Sequence, residues 1–507
     1  MTSEDIKQYT EKSFTFDCPR MVLRQNIESS ARVYEGPGTV YLNDEGELLF
    51  KLYSTGPPDT EILKRIFGPD ALKAGEVVPR TEYFTLEATS MKGANWRCDV
   101  VSPQLNQGVI GGPVATGTLY ELTEETNDPN AKGDSAYLSL RFGREFDFPG
   151  NAKRITKSSL NDVERGFSGD WTSASFRVAG LEFEFHKDHG GVFVSAESTA
   201  PKLPAHLDLR ICESLEFTFF QHERWVIRVV TEGNRYKTTL RPFQKPSKRS
   251  HFHPLRFGSS SPFDCPVWIL FGAYLQFVLK NDKPKWHALS ENIHLAVMAD
   301  AGSLESRLIG LSVALEGVVK TGYPTVAHPD ALHLAQIETA SKLIEESSLD
   351  DSFKKRVAGV FGAMESPRAK DKLLAFVDAG IIRPELVRAW SGMRNSAVHA
   401  SGLDPAEIES VYKEYQTALT LLNELVMLLI DYRGPYTDYS VAGWPQREWT
   451  GSLENTESRP TPPNQTTGDR PQIGQSTDSP SLISPRCPAS SEAVSPVANQ
   501  IRRTDPE

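Results

Sequence analysis

The spacing of apolar residues changes once along this chain, near residue 265, and this change decides which elements each half can form. Before it, short segments such as Leu48–Tyr53 and Ala136–Phe142 alternate apolar and polar residues, as half-buried strands do. After it, apolar residues return every three or four positions, as they do on one face of a helix. The sequence therefore predicts a multidomain α+β protein. A β-rich N-terminal domain, sandwich- or barrel-like, is followed by an all-α bundle.

The clearest helix of the second half has an apolar stripe and a signal at each end. Asp300 or Ser303 can cap its start, and Gly322 with Pro324 ends it. Its stripe consists of Leu304, Leu308, Leu311, Leu315 and Val318. The same periodicity predicts further helices at 330–347, 350–364, 368–379, 384–401 and 405–432.

Composition divides the chain into four segments. The predicted segments are a β-rich domain at 1–240, a basic connector containing Pro and Ser with a linking helix at 241–284, a helical domain at 285–435, and an extension with a tail at 436–507. Residues 451–507 contain no Phe, Tyr or Trp and are rich in Pro, Ser and Thr. Such a segment cannot bury enough apolar area to offset its chain entropy, so we expect a disordered tail.

Charge and cysteine usage limit the functional classes. The formal net charge of −11 argues against general electrostatic attachment to nucleic acid or to an anionic membrane. The five cysteines are scattered and never form a C-x-x-C pair, which fits a reducing cytoplasm. No run of 18 apolar residues and no signal-like start is present, so we expect a cytoplasmic protein without a membrane partner.

The connector carries a local basic strip. Lys245, Lys248 and Arg249 lie in it, between prolines and aromatic residues. The strip is either a solvated linker or a weak binding site for RNA phosphates. The histidine pairs at 186 and 189 and at 251 and 253 fit loops better than metal sites, so we expect neither a metal nor a cofactor.

One motif of chemical interest lies on the helix predicted at 384–401. Its residues are Arg394, Asn395 and His399, in the order Arg-Asn-x-x-x-His. The apolar stripe of this helix consists of Leu386, Trp390, Met393, Ala397 and Ala400. At about 100° per residue, Asn395 and His399 fall opposite that stripe, and Arg394 projects from its flank. The motif therefore points away from the predicted core.

The pattern Arg394-Asn395-x-x-x-His399 on a long helix of an α-bundle resembles the R-x4–6-H signature of HEPN ribonucleases. Residues 285–435 as a whole resemble the HEPN domain of ApeA-like anti-phage proteins. The segment Ala314-Leu-Glu316-Gly-Val-Val-Lys320 and a Tyr-Arg-Gly ending at 432–434 add to the resemblance. A β-rich half in front of the bundle is similar to the ApeA arrangement.

This resemblance implies a metal-independent endoribonuclease. It also implies a homodimer with a composite active site and a role in abortive infection against phage. The N-terminal domain would be a sensor or regulator that responds to a phage-derived trigger. Because residues 300–435 hold 19 acidic and 14 basic residues, RNA would have to bind in a local groove, in the basic strip or in the dimer cleft.

The residue types suit this chemistry. In metal-free RNA cleavage the 2′-hydroxyl attacks the adjacent phosphate, and His399 is a group that titrates near neutrality and can transfer the proton. Arg394 can stabilise the developing phosphorane charge, and Asn395 can orient the histidine or the phosphate. Glu316 and Lys320 are spaced as a salt bridge on the helix surface; alternatively, Glu316 supports the site by contacting Arg394.

Two other functions remain open from the sequence. In the first, a non-catalytic HEPN module uses Arg394 and His399 to hold a nucleotide or a partner. In the second, the helical half is a dimerisation scaffold. A scaffold gives no reason to place Arg, Asn and His away from the core, which favours the ribonuclease.

Overall fold

A computed structural model describes most of the chain up to residue 452. The described ranges are 3–29, 31–56, 77–106, 113–127, 135–160, 163–188, 190–244, 250–257, 265–327, 331–398 and 406–452. They belong to one compact unit, Met1–Thr466. Four residues of the predicted sites, Lys245, Lys248, Arg249 and His399, lie outside these ranges, as does the tail predicted to be disordered beyond residue 452.

The first half forms an antiparallel β-sheet. Its strands are β1 (Thr15–Gln25), β2 (Val33–Leu42), β3 (Leu48–Tyr53), β4 (Phe84–Thr89), β5 (Asn95–Val101), β6 (Gln104–Asn106), β7 (Val114–Thr118), β8 (Leu122–Asn127), β9 (Ala136–Phe142), β10 (Ala152–Leu160), β11 (Val163–Val178), β12 (Leu181–Asp188), β13 (Gly191–Ser198), β14 (Trp225–Glu232) and β15 (Arg235–Leu240). Among the described strands the hydrogen-bonded order is β10-β11-β12-β13-β9-β14-β15-β8-β5-β4-β1-β2-β3-β7-β6.

The alternation read from the sequence matches the burial of side chains. In β3 the residues Leu48, Phe50 and Leu52 are buried and those between them are partly exposed, because successive side chains of a strand point to opposite faces. Strands β12 and β13 form a hairpin, in which Asp188 lies opposite Gly191.

The sheet contributes to two hydrophobic cores, and they meet at β14. Val226 and Ile227 belong to the core of the first strands, together with Leu240 of β15. The neighbouring Trp225 belongs to the second core, which continues into the helices. One strand therefore packs into both cores.

Most of the described helices follow the sheet along the chain. The first precedes it, and the second lies between two of its strands. The helices are α1 (Ser3–Thr10), α2 (Leu207–Phe219), α3 (Cys265–Val278), α4 (Ala288–Asp300), α5 (Leu304–Gly322), α6 (Ala331–Glu346), α7 (Asp351–Met364), α8 (Ala369–Asp378), α9 (Pro384–Val398) and α10 (Ile408–Leu429). The predicted helices of the second half are confirmed to within a few residues at each end. Ser303 caps α5 by accepting a hydrogen bond from the backbone N–H of Ser306, as the sequence indicated.

Helix α2 lies in the segment that reads as strands, and the expectation of an entirely β-rich segment is wrong there. It contacts α3 and α4. Leu215 of α2, Leu270 of α3 and Leu315 of α5 all belong to the second core. The apolar core therefore crosses the boundaries predicted near residues 240 and 285.

A short hairpin after α10 completes the described chain. Its strands are β16 (Gly434–Thr437) and β17 (Gln446–Trp449). Tyr436, Tyr439 and Trp449 are buried in the second core, so the start of the predicted extension is packed. Cys18, Cys98 and Cys212 are buried free thiols. None of the described helices has the length and hydropathy needed to cross a lipid bilayer.

Candidate functional site

Helix α9 has a buried apolar face and an exposed face that carries the described part of the predicted catalytic motif. Leu386, Trp390 and Met393 are at most 1% exposed and pack into the second core, next to α5 and α10. Arg394 and Asn395 are exposed. The prediction that the motif points away from the core is confirmed for these two residues, and His399 lies outside the described residues.

Arg394 is held by an ion pair across two helices. Its Nη2 lies 3.5 Å from Oε2 of Glu316 on α5, and Oε1 of Glu316 lies 2.7 Å from Nζ of Lys320. Both contacts that the sequence left as alternatives are therefore present together. The hydrogen bond from Lys320, and then the charges of Lys320 and Arg394, lower the pKa of Glu316 although partial burial opposes this. Glu316 is thus an ionised anchor for Arg394.

The aromatic ring beneath Arg394 adds a second contact. The guanidinium carbon lies 5.9 Å from the centroid of the Trp390 ring, at the outer limit of a cation–π contact. Because the Arg394 side chain is 50% exposed, neither contact adds much to stability. Their consequence is positional: they restrict the guanidinium and leave part of its donor edge open to solvent.

A groove of about 550 Å³ lies beside α9. Its lining residues are Arg383, Glu385, Arg388, Ala389, Ser410, Lys413, Glu414, Thr417, Ser440, Val441 and Arg447. Arg388 and Asn395 are seven positions apart and so lie on one face of the helix, which leads from the groove to the motif. Arg388 and Lys413 form no ion pair with any described residue and offer free positive charge there.

The end of this groove is fixed by buried charges. Arg383 binds Glu424 and Asp438, each at 3.1 Å, and these carboxylates are 2% and 0% exposed. Burial raises the pKa of Glu424, to which Tyr436 also donates a hydrogen bond. Burial also opposes ionisation of Asp438, but hydrogen bonds from Ser440 and Arg383 outweigh it and lower the pKa of Asp438. Arg383 therefore ties the start of α9 to α10 and to the hairpin.

A second cluster, which sequence reasoning missed, lies between α2 and α4. Glu216 of α2, His222 just beyond it and His294 of α4 converge, with their potential ligand atoms within 4.8 Å of one another. Burial opposes ionisation of Glu216, but hydrogen bonds from His222 and His294 outweigh it and lower its pKa. The spacing of these residues carries no recognisable signal, because only the packing of α2 on α4 brings them together.

Two other histidines considered in the sequence, His186 and His253, have structural contacts, whereas His189 lies outside the described residues. His186 contacts the ring of Phe193 in the β12–β13 hairpin. His253 is packed between Phe219 and Phe257, and burial lowers its pKa to about 4. Among the described residues, neither belongs to a cluster of metal-binding side chains.

Comparison of the chain with protein-family models, with curated proteins and with solved structures finds no match. The resemblance of residues 285–435 to HEPN domains therefore stays a prediction. The function has to be inferred from the residues of this chain and from their geometry.

Proposed function

We propose that this protein is a metal-independent endoribonuclease of the HEPN type, with Arg394, Asn395 and His399 as its catalytic residues. The main support is the placement of Arg394 and Asn395, which are exposed on a helix whose opposite face is buried. A helix that only stabilised the bundle would not need Arg394 to be held by Glu316 of the neighbouring helix. His399 follows Asn395 by four residues in the sequence, one helical turn.

The proposed reaction uses the RNA as its own nucleophile. The 2′-oxygen forms a bond to the adjacent phosphorus while the bond from phosphorus to the 5′-oxygen breaks, which leaves a 2′,3′-cyclic phosphate and a 5′-hydroxyl. His399 transfers a proton at one of these oxygens. Arg394 donates hydrogen bonds to the phosphorane oxygens, where negative charge develops, and Asn395 orients the phosphate or the imidazole. The reaction needs no metal ion.

The groove beside α9 supports binding of a polyanion. Arg388 and Lys413 line it, and the face of α9 that carries Arg388 also carries Asn395. We expect the RNA backbone to follow this face toward the motif, with phosphates neutralised by these two side chains. The net negative charge of the whole bundle would then restrict RNA binding to this groove.

In-line cleavage requires proton transfer at both the attacking and the leaving oxygen, whereas one chain supplies a single histidine in the motif. A two-fold dimer would bring two motifs to one cleft. Under this proposal the protein acts in the cytoplasm as a homodimer in abortive defence against phage, and the N-terminal sheet regulates it. Mixed dimers with one His399→Ala subunit would then be strongly impaired.

The proposal is tested by incubating the purified full chain with total RNA in EDTA and analysing the termini. We expect 2′,3′-cyclic phosphate ends, and a loss of at least about a hundredfold in rate for His399→Ala and for Arg394→Ala. Two matched controls, His333→Ala on α6 and Arg356→Ala on α7, remove the same residue types from other helices and should cut normally. Cleavage by His399→Ala at the wild-type rate would show that the assignment is wrong.

A further inference from the structure

Two histidines each contact one oxygen of the same buried carboxylate. Oε2 of Glu216 lies 2.8 Å from Nδ1 of His222, and Oε1 lies 2.6 Å from Nδ1 of His294. The centroids of the two imidazole rings are 4.8 Å apart. The ring of Trp286 packs beside both, with centroids 5.9 Å from that of His222 and 5.0 Å from that of His294.

This cluster contains a negative charge without a permanent cation. The Glu216 side chain is 2% exposed, and no described Lys or Arg pairs with it. On the same helix, Arg210 forms an ion pair with Glu213 and donates hydrogen bonds to the backbone carbonyls of Lys283 and Lys285. A buried carboxylate is costly unless a cation or sufficient hydrogen bonds compensate for its lost hydration.

We propose that Glu216, His222 and His294 bind a zinc ion. Two imidazole nitrogens and one carboxylate oxygen are a donor set that Zn²⁺ prefers, whereas Mg²⁺ and Ca²⁺ favour oxygen ligands. The ion would place a fixed positive charge beside Glu216, whose present partners are the two imidazoles. Because His294 is 33% exposed, solvent can reach the cluster, and water can take the fourth position of a tetrahedral site.

The three side chains already converge, because one potential ligand atom of each lies within 4.8 Å of the others. Zinc ligands at about 2.0–2.2 Å from the ion lie about 3.3 Å from one another in a tetrahedron. The present distances of 2.6 and 2.8 Å are those of hydrogen bonds to two different oxygens of Glu216, so the ion would replace both hydrogen bonds and the rings would move away from the carboxylate. Each imidazole would bind the ion through Nδ1 and carry its proton on Nε2, so both histidines stay neutral.

The position of the site indicates a structural role. Glu216 lies on α2, His222 follows that helix and His294 lies on α4, so the ion would link the two helices across their contact. None of the three ligands belongs to α5 or α9, where the catalytic motif is proposed. The zinc proposal therefore does not rest on the proposed ribonuclease activity.

The test uses the untagged full chain, stripped with a chelator and then titrated with Zn²⁺ in a calorimeter. We expect one ion per chain with a Kd below about 10 µM, and a higher melting temperature in the presence of Zn²⁺. Co²⁺ in the same site should give the visible absorption bands of a tetrahedral complex. Neither readout involves RNA.

His294→Ala is the most informative variant, because this partly exposed side chain can be removed without opening the core. It should weaken binding at least about a hundredfold and abolish the stabilisation by Zn²⁺, and Glu216→Gln should do the same. His333→Ala, a matched control on α6, should bind normally. The proposal is overturned if the wild type takes up no stoichiometric Zn²⁺, or if His294→Ala binds it as tightly as the wild type.

Discussion

Glu316 on α5 joins Arg394 on α9 to Lys320 on its own helix, at 3.5 Å from Arg394 Nη2 and at 2.7 Å from Lys320 Nζ. The two cations use different oxygens of the same carboxylate. Lys320 shares a helix with Glu316, so the contact with Arg394 is the one that links two elements. Glu316 is therefore the side chain through which α5 can position the proposed catalytic arginine.

This arrangement predicts that substitutions of Glu316 and of Lys320 affect RNA cleavage differently. Glu316→Gln should lower the kcat of RNA cleavage about three- to tenfold with little change in KM, because Arg394 would be less well oriented in the transition state. Lys320→Ala, the matched control, keeps the carboxylate and should change kcat by less than about twofold. Steady-state cleavage of a defined RNA measures both, and equal losses in the two variants would contradict a positioning role for Glu316.

Removing Arg383 should destabilise the protein. Arg383→Met would leave the carboxylates of Glu424 and Asp438 buried without this cation, and we expect a loss of about 2–4 kcal/mol in unfolding free energy. Arg388→Met on α9 removes an arginine that forms no ion pair with any described residue, and it should cost less than about 0.5 kcal/mol. Urea denaturation followed by circular dichroism compares them. A stable Arg383→Met variant would show that Arg447, the other cation on Asp438, compensates.

Because the pKa of His253 is lowered in the folded protein, we expect a loss of stability in mild acid. Burial, opposed by its hydrogen bond to Phe219, lowers its pKa from 6.5 to about 4 in the folded state, so the unfolded chain binds more protons between these values. The contribution of neutral His253 is complete above pH 6.5 and is lost as the pH falls toward 4, by about 1.4 kcal/mol per pH unit below 6.

Unfolding measured between pH 7 and 5 tests this directly. His253→Gln cannot titrate, so its stability should fall less steeply with acidification than that of the wild type. His251 also faces this site, together with Arg256 and Asp147, so His251→Gln is the appropriate control. A pH dependence unchanged in His253→Gln would exclude His253 as its source.

Two helical glycines should respond in opposite ways to alanine. A Cβ added at Gly310 on α5 would lie 2.2 Å from Cβ of Ala299, so Gly310→Ala should force α4 and α5 apart and cost about 1–3 kcal/mol. A Cβ added at Gly359 on α7 meets nothing within 4 Å, and Gly359→Ala should stabilise by up to about 1 kcal/mol through helix propensity. Thermal melts distinguish the two, and a stabilised Gly310→Ala would contradict the close packing of these helices.

Local patterns were sufficient to predict the helices of the second half. In α5 and α9 the polar and apolar residues lie on opposite faces of the helix, and Ser303 and Gly322 mark the ends of α5. The same reasoning placed Arg394 and Asn395 at the surface of α9, because the stripe of Leu386 and Trp390 defines the buried side.

Helix α2 could not be predicted in this way, because it is buried on almost every side. Arg210, Glu213 and Glu216 read as surface charges in the sequence, yet each is at most 1% exposed. Their compensation comes from distant residues: Ser290 and the backbone N–H of His287 donate to Glu213. The cluster around Glu216 depends on the same tertiary packing, which spacing along the chain does not reveal.

The double role of β14 has a consequence for synthesis of the protein on the ribosome. β14 pairs with β9, and β15 pairs with β8, strands made about a hundred residues earlier. The first core also needs Val226, Ile227 and Leu240, so it stays incomplete until this part of the chain has emerged. Until then the earlier strands have unpaired edges and exposed apolar faces. Nascent chains in this condition aggregate or recruit chaperones. Translation that stops before residue 240 should therefore yield an insoluble product rather than a smaller folded protein.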